Sequence, residues 1–213
     1  MLPKELDDIF QEHSEDDFNL CITKADYSTD DFIIDFLLEV QDINDKGKII
    51  QEWNITAAGH RKNNLSFDFE EFIKIEDDHP LLWEFYDVQC QLYYSGQCKD
   101  LPKLFYDLYK VHKEVFGDYK CFNISFGEDT KYFKPFQFSN GLLTEGSKKL
   151  ILKYSDCLKQ HGLDFTIIGE RPAKYWTGTE FINESDHLKV LFFGKGYIIA
   201  KDFSFMLHKK NSR

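Results

Sequence analysis

The sequence predicts an α+β protein with a mostly antiparallel sheet, and three patterns carry that prediction. Between residues 20 and 96 apolar side chains recur at every second position in several successive runs, the period of a strand with one buried face. Two later segments change to helical spacing, and each stops at a glycine, Gly117 or Gly162. Steady alternation of strand and helix, which would indicate a parallel sheet, is absent.

The chain opens with Leu2, Leu6, Ile9 and Phe10 spaced for one helical face and with Pro3 suited to a first turn, so a short helix is predicted over about 3–13. The run "SEDD" ends it. In "DFIIDFLLEV" Phe32, Ile34, Phe36, Leu38 and Val40 share one face, "NDKG" supplies turn chemistry, and "KIIQEWNITAAG" returns with Ile49, Trp53 and Ile55 alternating, which reads as a hairpin. "LSFDFEEFIKI" sets Leu65, Phe67 and Phe69 against Ser66, Asp68 and Glu70, and "EFYDVQCQLYYSG" alternates Val88, Cys90, Leu92 and Tyr94. Together these four runs are expected to form a meander with one apolar face that a helix must cover.

The segment 101–116 fits that role. Leu101, Leu104, Phe105, Leu108, Val111 and Val115 form a helical stripe, Asp100 can cap its start, and Gly117 can close its end. "YKCFNISFG" follows as a strand, and residues 128–142, with Pro135 and "SNG", read as a connection. A helix–strand unit comes next: Leu150, Ile151, Tyr154 and Leu158 form its stripe, Gly162 stops it, and "LDFTIIG" is its strand. A β-hairpin closes the chain, with "LKVLFF" and "YIIAKDFSFML" flanking Gly194-Lys195-Gly196. The expected organisation is an acidic meander-plus-helix region, 1–127, and a helix-strand-hairpin region, 128–213, either separate or continuous with the first.

Composition bounds the function. Aromatic residues make up 16% of the 213, with 21 Phe and 11 Tyr, a large apolar payload for a core or a contact surface. No stretch approaches the roughly 20 apolar residues of a membrane-spanning helix, so no membrane association is expected. The N-terminal stretch carries acids where a signal peptide would carry bases. Five scattered cysteines (Cys21, Cys90, Cys98, Cys121, Cys157) contain no C-x-x-C pair, which fits a reducing cytoplasm better than a disulfide framework or a zinc site.

Charge is the most informative global feature. Residues 1–100 hold 8 basic against 24 acidic side chains, whereas residues 101–213 hold 18 against 13. A strongly acidic half repels nucleic-acid phosphates and favours a basic protein partner. Lys148, Lys149, Lys153 and Lys159 match the wet face of an ordinary helix and do not alter that expectation.

Local clusters give weaker signals. "EDDHP" at 76–80 has metal-ligand residue types, but His79-Pro80 forces an extended, ladder-breaking geometry, so a turn is expected there. Cys157 and His161 share a helix face, yet two ligands do not make a metal site, and His161 suits a helix C-terminus. His60-Arg61 could present an anion-binding pair but is read as an ordinary turn, and Arg171, just beyond a predicted strand, could meet a carboxylate or phosphate but is read first as a structural bridge. Nucleophile-elbow, zinc-protease, phosphate-loop and dinucleotide fingerprints are all missing.

The function expected from these features is a non-enzymatic, cytoplasmic interaction module without metal or cofactor, such as an immunity-type inhibitor of a basic toxin or nuclease. Trp53, Tyr93 and Tyr94 would anchor the partner, and Glu76, Asp77 and Asp78 would form charged rim contacts. The alternative is a small-molecule-binding protein or enzyme with a pocket between the meander and the 101–116 helix, where His112 and Arg171 would face the ligand.

Overall fold

The computed structural model describes residues 1–13, 17–27, 31–41, 48–122, 136 and 138–212. They fall into two compact units, Met1–His79 with Asp186–Arg213, and Pro80–Ser185. The α+β class, a meander and the C-terminal hairpin are all present, although the strands that compose the meander are not the four expected. The expected boundary at 127/128 lies outside the described residues, as do residues 123–127 of the predicted strand, most of the 128–142 connection and the "NDKG" turn.

In the first unit, helix α1 (Lys4–Glu12) starts where Pro3 fixes the backbone, and the Pro3 carbonyl accepts the N–H groups of Leu6 and Asp7. Its apolar stripe buries Leu6 completely and packs Ile9 and Phe10 against the core. Strands β1 (Phe18–Asp26), β2 (Phe32–Gln41) and β3 (Lys48–Ala58) form the antiparallel meander. Strand β1 is an addition to the sequence reading: Phe18, Leu20 and Ile22 point inward, and a bulge at Ile22/Lys24 then breaks the alternation. The predicted alternation of β2 holds throughout, with Phe32, Ile34, Phe36, Leu38 and Val40 all buried.

The remaining neighbours come from far along the chain. After β4 (Lys62–Asn64), β5 (Phe69–Glu70) and β6 (Ile73–Glu76), the unit resumes with β12 (Lys189–Phe193), β13 (Gly196–Ala200) and β14 (Asp202–Ser212). One sheet runs β14-β3-β2-β1-β5, and a second runs β4-β13-β12-β6. The expected last strand, 197–207, therefore divides at Lys201, where the chain crosses from the second sheet to the first and Lys201 N–H bonds the Ala58 carbonyl at 3.0 Å. The two sheets share one core, in which Phe36 meets Phe193 edge to face with ring centroids 5.4 Å apart.

The segment 65–75 does not add to the meander as expected. Its alternation is inverted at its centre: Phe67 and Phe69 are 58% and 71% exposed, while Glu70 is 7% exposed. The cause is the β12–β13 turn. Glu70 Oε2 accepts the Lys195 N–H at 3.0 Å, and Gly194 N–H bonds the Phe72 carbonyl at 2.8 Å, so the carboxylate is drawn inward and the rings turn out.

The second unit begins with a 3-10 turn, Pro80–Leu82, that runs into the short helix α2 (Trp83–Tyr86). Strand β7 (Gln89–Ser95) is the middle of a three-stranded antiparallel sheet with β8 (Asn140–Ser147) and β9 (Asp164–Arg171) on either side. The predicted helix is present within its expected bounds as α3 (Leu101–Phe116), capped by Asp100 Oδ1 on the Lys103 N–H at 3.0 Å and closed by Gly117 at φ 59°. It packs on α4 (Lys148–Gln160), and α4 covers the sheet. The helix that packs on the meander's core is thus α1, and 101–116 covers a different layer. Strand β8 occupies residues read as connection and helix start; Gly141, Gly146 and the polar Asn140, Thr144 and Glu145 leave its sequence without a β pattern. A small hairpin, β10 (Tyr175–Trp176) and β11 (Phe181–Ile182), completes the unit.

Gly194 tests the inversion. It sits at φ 53°, and an added Cβ would lie 1.9 Å from Glu70 Oε2. Gly194→Ala is expected to lower unfolding stability by more than about 1 kcal/mol in urea titration, from left-handed backbone strain and the clash together. Glu70→Ala in that background should recover part of the loss if the clash is with the carboxylate.

Candidate functional site

The inversion at Glu70 builds a distinctive surface. Phe69 lies opposite Cys21, Cys21 opposite Leu37, Leu37 opposite Glu52, and Glu52 opposite Lys209, a cross-strand row on the outer face of the first sheet. Phe69, Cys21 and Leu37 form its apolar end. Exposed Asp68 lies between Phe67 and Phe69, exposed Glu71 lies two residues after Phe69, and half-buried Asp35 and Glu39 lie two residues either side of Leu37 on β2. Asp68 is held in place by Ser66, whose hydroxyl donates to Oδ2 at 2.7 Å and accepts the Asp68 N–H at 3.1 Å. The arrangement is an exposed aromatic pair bordered by carboxylates, the anatomy of a contact patch with an apolar centre and a charged rim.

The residues singled out from the sequence are distributed otherwise. Trp53 is 3% exposed, and its Nε1–H donates to Gln51 Oε1 at 2.8 Å; it belongs to the core and cannot anchor a partner, since β3 alternation turns 51, 53 and 55 inward. Tyr94 is 2% exposed and donates to the Phe138 carbonyl at 3.0 Å, so it too is corrected to a core residue. Tyr93 is half-buried on the uncovered face of the second unit's sheet, beside Leu142 and Thr166. Glu76 pairs with Lys74 at 2.5 Å, Asp77 lies 3.9 Å from His187 Nε2, and Asp78 is exposed, so "EDDHP" is the solvated turn expected of it. The structure thus divides the proposed anchors and rim charges between two units. Sequence alternation alone missed Phe67 and Phe69; the signal that bears on them is the Gly-Lys-Gly turn, which needs a buried acceptor.

His60 and Arg61 also prove structural. Asn63 Nδ2 donates to His60 Nε2 at 3.0 Å, and the ring packs 4.9 Å from Phe32. Arg61 is largely buried, donating to the Gly59 carbonyl at 2.9 Å and lying 3.4 Å from Asp186 Oδ2.

In the second unit, His112 is fully buried. Its Nε2 is 2.8 Å from the Lys120 carbonyl, which can only accept, so Nε2 carries the proton and Nδ1 accepts the Tyr154 hydroxyl at 2.7 Å. This neutral ring ties α3 to α4 and to the turn after α3. Burial holds its pKa below the ordinary histidine value. It is corrected from ligand contact to internal clamp. Arg171 does line a cavity of about 200 Å³ with Trp83, Phe116 and Lys120, but its Nη2 lies 3.6 Å from Glu145, and Lys120 lies 4.0 Å from Glu84. The cations there already face carboxylates.

A larger open cleft, about 700 Å³, lies between the start of α3 and the end of α4. His161 Nε2 meets Asp107 Oδ2 at 2.8 Å on its wall, and Cys98, Lys99 and Lys103 share the lining. Cys157, one turn before His161, is buried, and its thiol is pushed up to about 11 by desolvation, with Asp107 and Cys98 adding to the shift. An enclosed thiol with a raised pKa is a weaker nucleophile at neutral pH than an ordinary cysteine. Among the described residues no three His, Cys, Asp or Glu side chains converge on a metal position.

No family model matches the chain. No curated protein matches it, and no solved structure does. Among the described residues no helix is long and apolar enough to cross a membrane.

Two measurements follow from this chemistry. Alkylation of the native protein at pH 8 should label exposed Cys121 and spare Cys157 and Cys90, with Cys157 reacting only on unfolding. Burial is the leading cause that lowers the pKa of His60, His79 and His112. The unfolded chain therefore binds protons near pH 6.5 that the native rings refuse until lower pH, so stability is full above about pH 6.5 and falls as pH drops below it. The thermal midpoint is expected to decline from pH 7.5 to 5.5, and His112→Gln should flatten that slope while lowering the plateau.

Proposed function

We propose that the first unit is an acidic docking module for a cationic protein, of the kind that an immunity-type inhibitor uses against a basic toxin or nuclease. The sequence of that unit holds 13 basic and 23 acidic side chains, net −10, whereas the second unit holds 13 and 14, net −1. Redrawing the boundary from chain halves to compact units thus leaves the acidity concentrated. The basic residues of 186–213 join the acidic unit without cancelling it.

One observation carries the reading: Phe67 and Phe69 project outward at 58% and 71% exposure on either side of exposed Asp68, with exposed Glu71 beyond them, while Glu70, next to Phe69, is buried. Large rings at the centre of a contact supply binding energy, and carboxylates around them speed encounter with a positive partner and reject a negative one. Nucleic acid is disfavoured on the same electrostatic ground. The reading is non-catalytic and cytoplasmic, in keeping with five free cysteines.

Capture from lysate at low salt, with bound proteins identified by mass spectrometry, tests it. The wild-type chain should retain a basic protein that elutes as salt rises. Phe67→Ala/Phe69→Ala should weaken retention by roughly thirtyfold or more, the loss of about 2 kcal/mol that marks a hot spot. Asp68→Lys/Glu71→Lys should mainly slow association and remove its salt dependence. Capture that ignores both salt and these substitutions sinks the proposal.

A second reading rests on the His161–Asp107 pair. A carboxylate-oriented imidazole in a cleft beside Lys99, Lys103 and Cys98 suits a small anionic ligand better than it suits nucleophilic catalysis, because Cys98 makes no hydrogen bond to the imidazole. A thermal-shift screen of small carboxylates and phosphates would show a ligand-dependent rise that Lys103→Ala removes.

A further inference from the structure

Strand β9 is unlike the other described strands in its exposure. It lies at the edge of the β8-β7-β9 sheet, it is eight residues long, and only Ile167 is even half-buried. Phe165 and Ile168 are 37% and 45% exposed. Its outer row of backbone groups bonds no described residue. A long open edge with apolar side chains is a template for another strand.

Gly169 decides what can pair there. Between Ile168 opposite Gln91 and Arg171 opposite Gln89, β9 contains one residue more than β7. This is a bulge with Gly169 at φ 69°. The extra residue shifts Arg171 onto the face already occupied by Asp164, Thr166 and Ile168, the uncovered face of the sheet. Counted in ladder positions against β7, Asp164 opposite Ser95 lies three steps before Ile167, and Arg171 opposite Gln89 lies three steps after it.

From this spacing we infer that β9 pairs antiparallel with β9 of a second copy of the chain, about a two-fold axis through Ile167. In that register Thr166 faces Ile168 of the other copy and Asp164 faces its Arg171, so an opposite-charge pair closes each end of the ladder. Without the bulge Arg171 would point to the other face and the charges would not meet. Arg171 is free to shift because its link to Glu145 is long, 3.6 Å, and both side chains are more than half exposed. The two sheets then continue as one six-stranded sheet, and each copy covers the other's edge. This inference concerns the second unit and does not depend on the docking surface of the first.

Analytical ultracentrifugation of the full chain across micromolar to millimolar concentrations tests it. The wild type should show a reversible monomer–dimer equilibrium. Asp164→Arg places like charges at both ends and should weaken dimerisation roughly tenfold, and Asp164→Arg/Arg171→Asp should restore it. Asp164 is exposed, so an unchanged thermal midpoint will separate lost pairing from lost folding. Amides of 164–168 should exchange more slowly in dimer than in monomer. A chain that stays monomeric throughout, a dimer indifferent to Asp164→Arg, or a double variant no better than the single each overturns the inference.

Discussion

The pairing of the last strand with the third holds the first unit together. Strand β14 runs antiparallel to β3 from Asp202 opposite Ala58 to Ser212 opposite Ile49, and it brings Phe203 into the shared core. Without it β3 would be an edge strand held by β2 alone, and Trp53 and Ile55 would lose their neighbours Leu207 and Phe205 on that side. The second unit is inserted between the two parts of the first. Closing a gap of about a hundred residues costs only slightly more entropy than closing one of half that length, so the long-range ladder is affordable once its apolar face is buried.

Glu70 is where local preference yields to that architecture. Burying two phenylalanine side chains would gain roughly 3–6 kcal/mol relative to leaving them in water. The fold forgoes much of that gain at Phe67 and Phe69, because a carboxylate is required inside to accept the Lys195 N–H. The turn that needs it joins β12 to β13, whose Leu191, Phe193 and Ile198 are fully buried or nearly so. The turn therefore supports a whole sheet, and the exposed rings are its consequence. Departures of this kind, where an apolar pair is left in solvent beside acids, concentrate at sites that bind.

Strong local periodicity made part of this legible in the sequence. The α3 helix could be read within its bounds because cap, stripe and stop agree, from Asp100 through Leu104, Leu108 and Val115 to Gly117. β2 was equally plain, since a single alternation runs its full length. The partners of the strands were not legible. Nothing local in "KDFSFML" says that it joins β3, and a meander of neighbours in sequence is the default when such return pairings are invisible. The candidate surface was hidden for a related reason, because the face of a strand at 65–70 is set by a turn more than a hundred residues away. His112 reads toward a ligand because nothing in the local spacing shows the Tyr154 hydroxyl across the helix pair.

The two proposed surfaces differ in what their backbones can offer, and that decides how each would bind. Strand β5 contributes only two paired residues at the edge of its sheet, so a partner there finds little free ladder and must bind through side chains. Contacts made by carboxylates and exposed rings are sensitive to salt and to single substitutions. Strand β9 offers the reverse: a long outer backbone row that bonds no described residue, modest side chains and charges only at the ends. Pairing there draws on main-chain hydrogen bonds, which salt hardly affects, and the terminal charges select the register more than they supply affinity. The charge-steered surface and the backbone-paired one proposed for this chain would not compete, because the physical terms that would operate them respond to different variables.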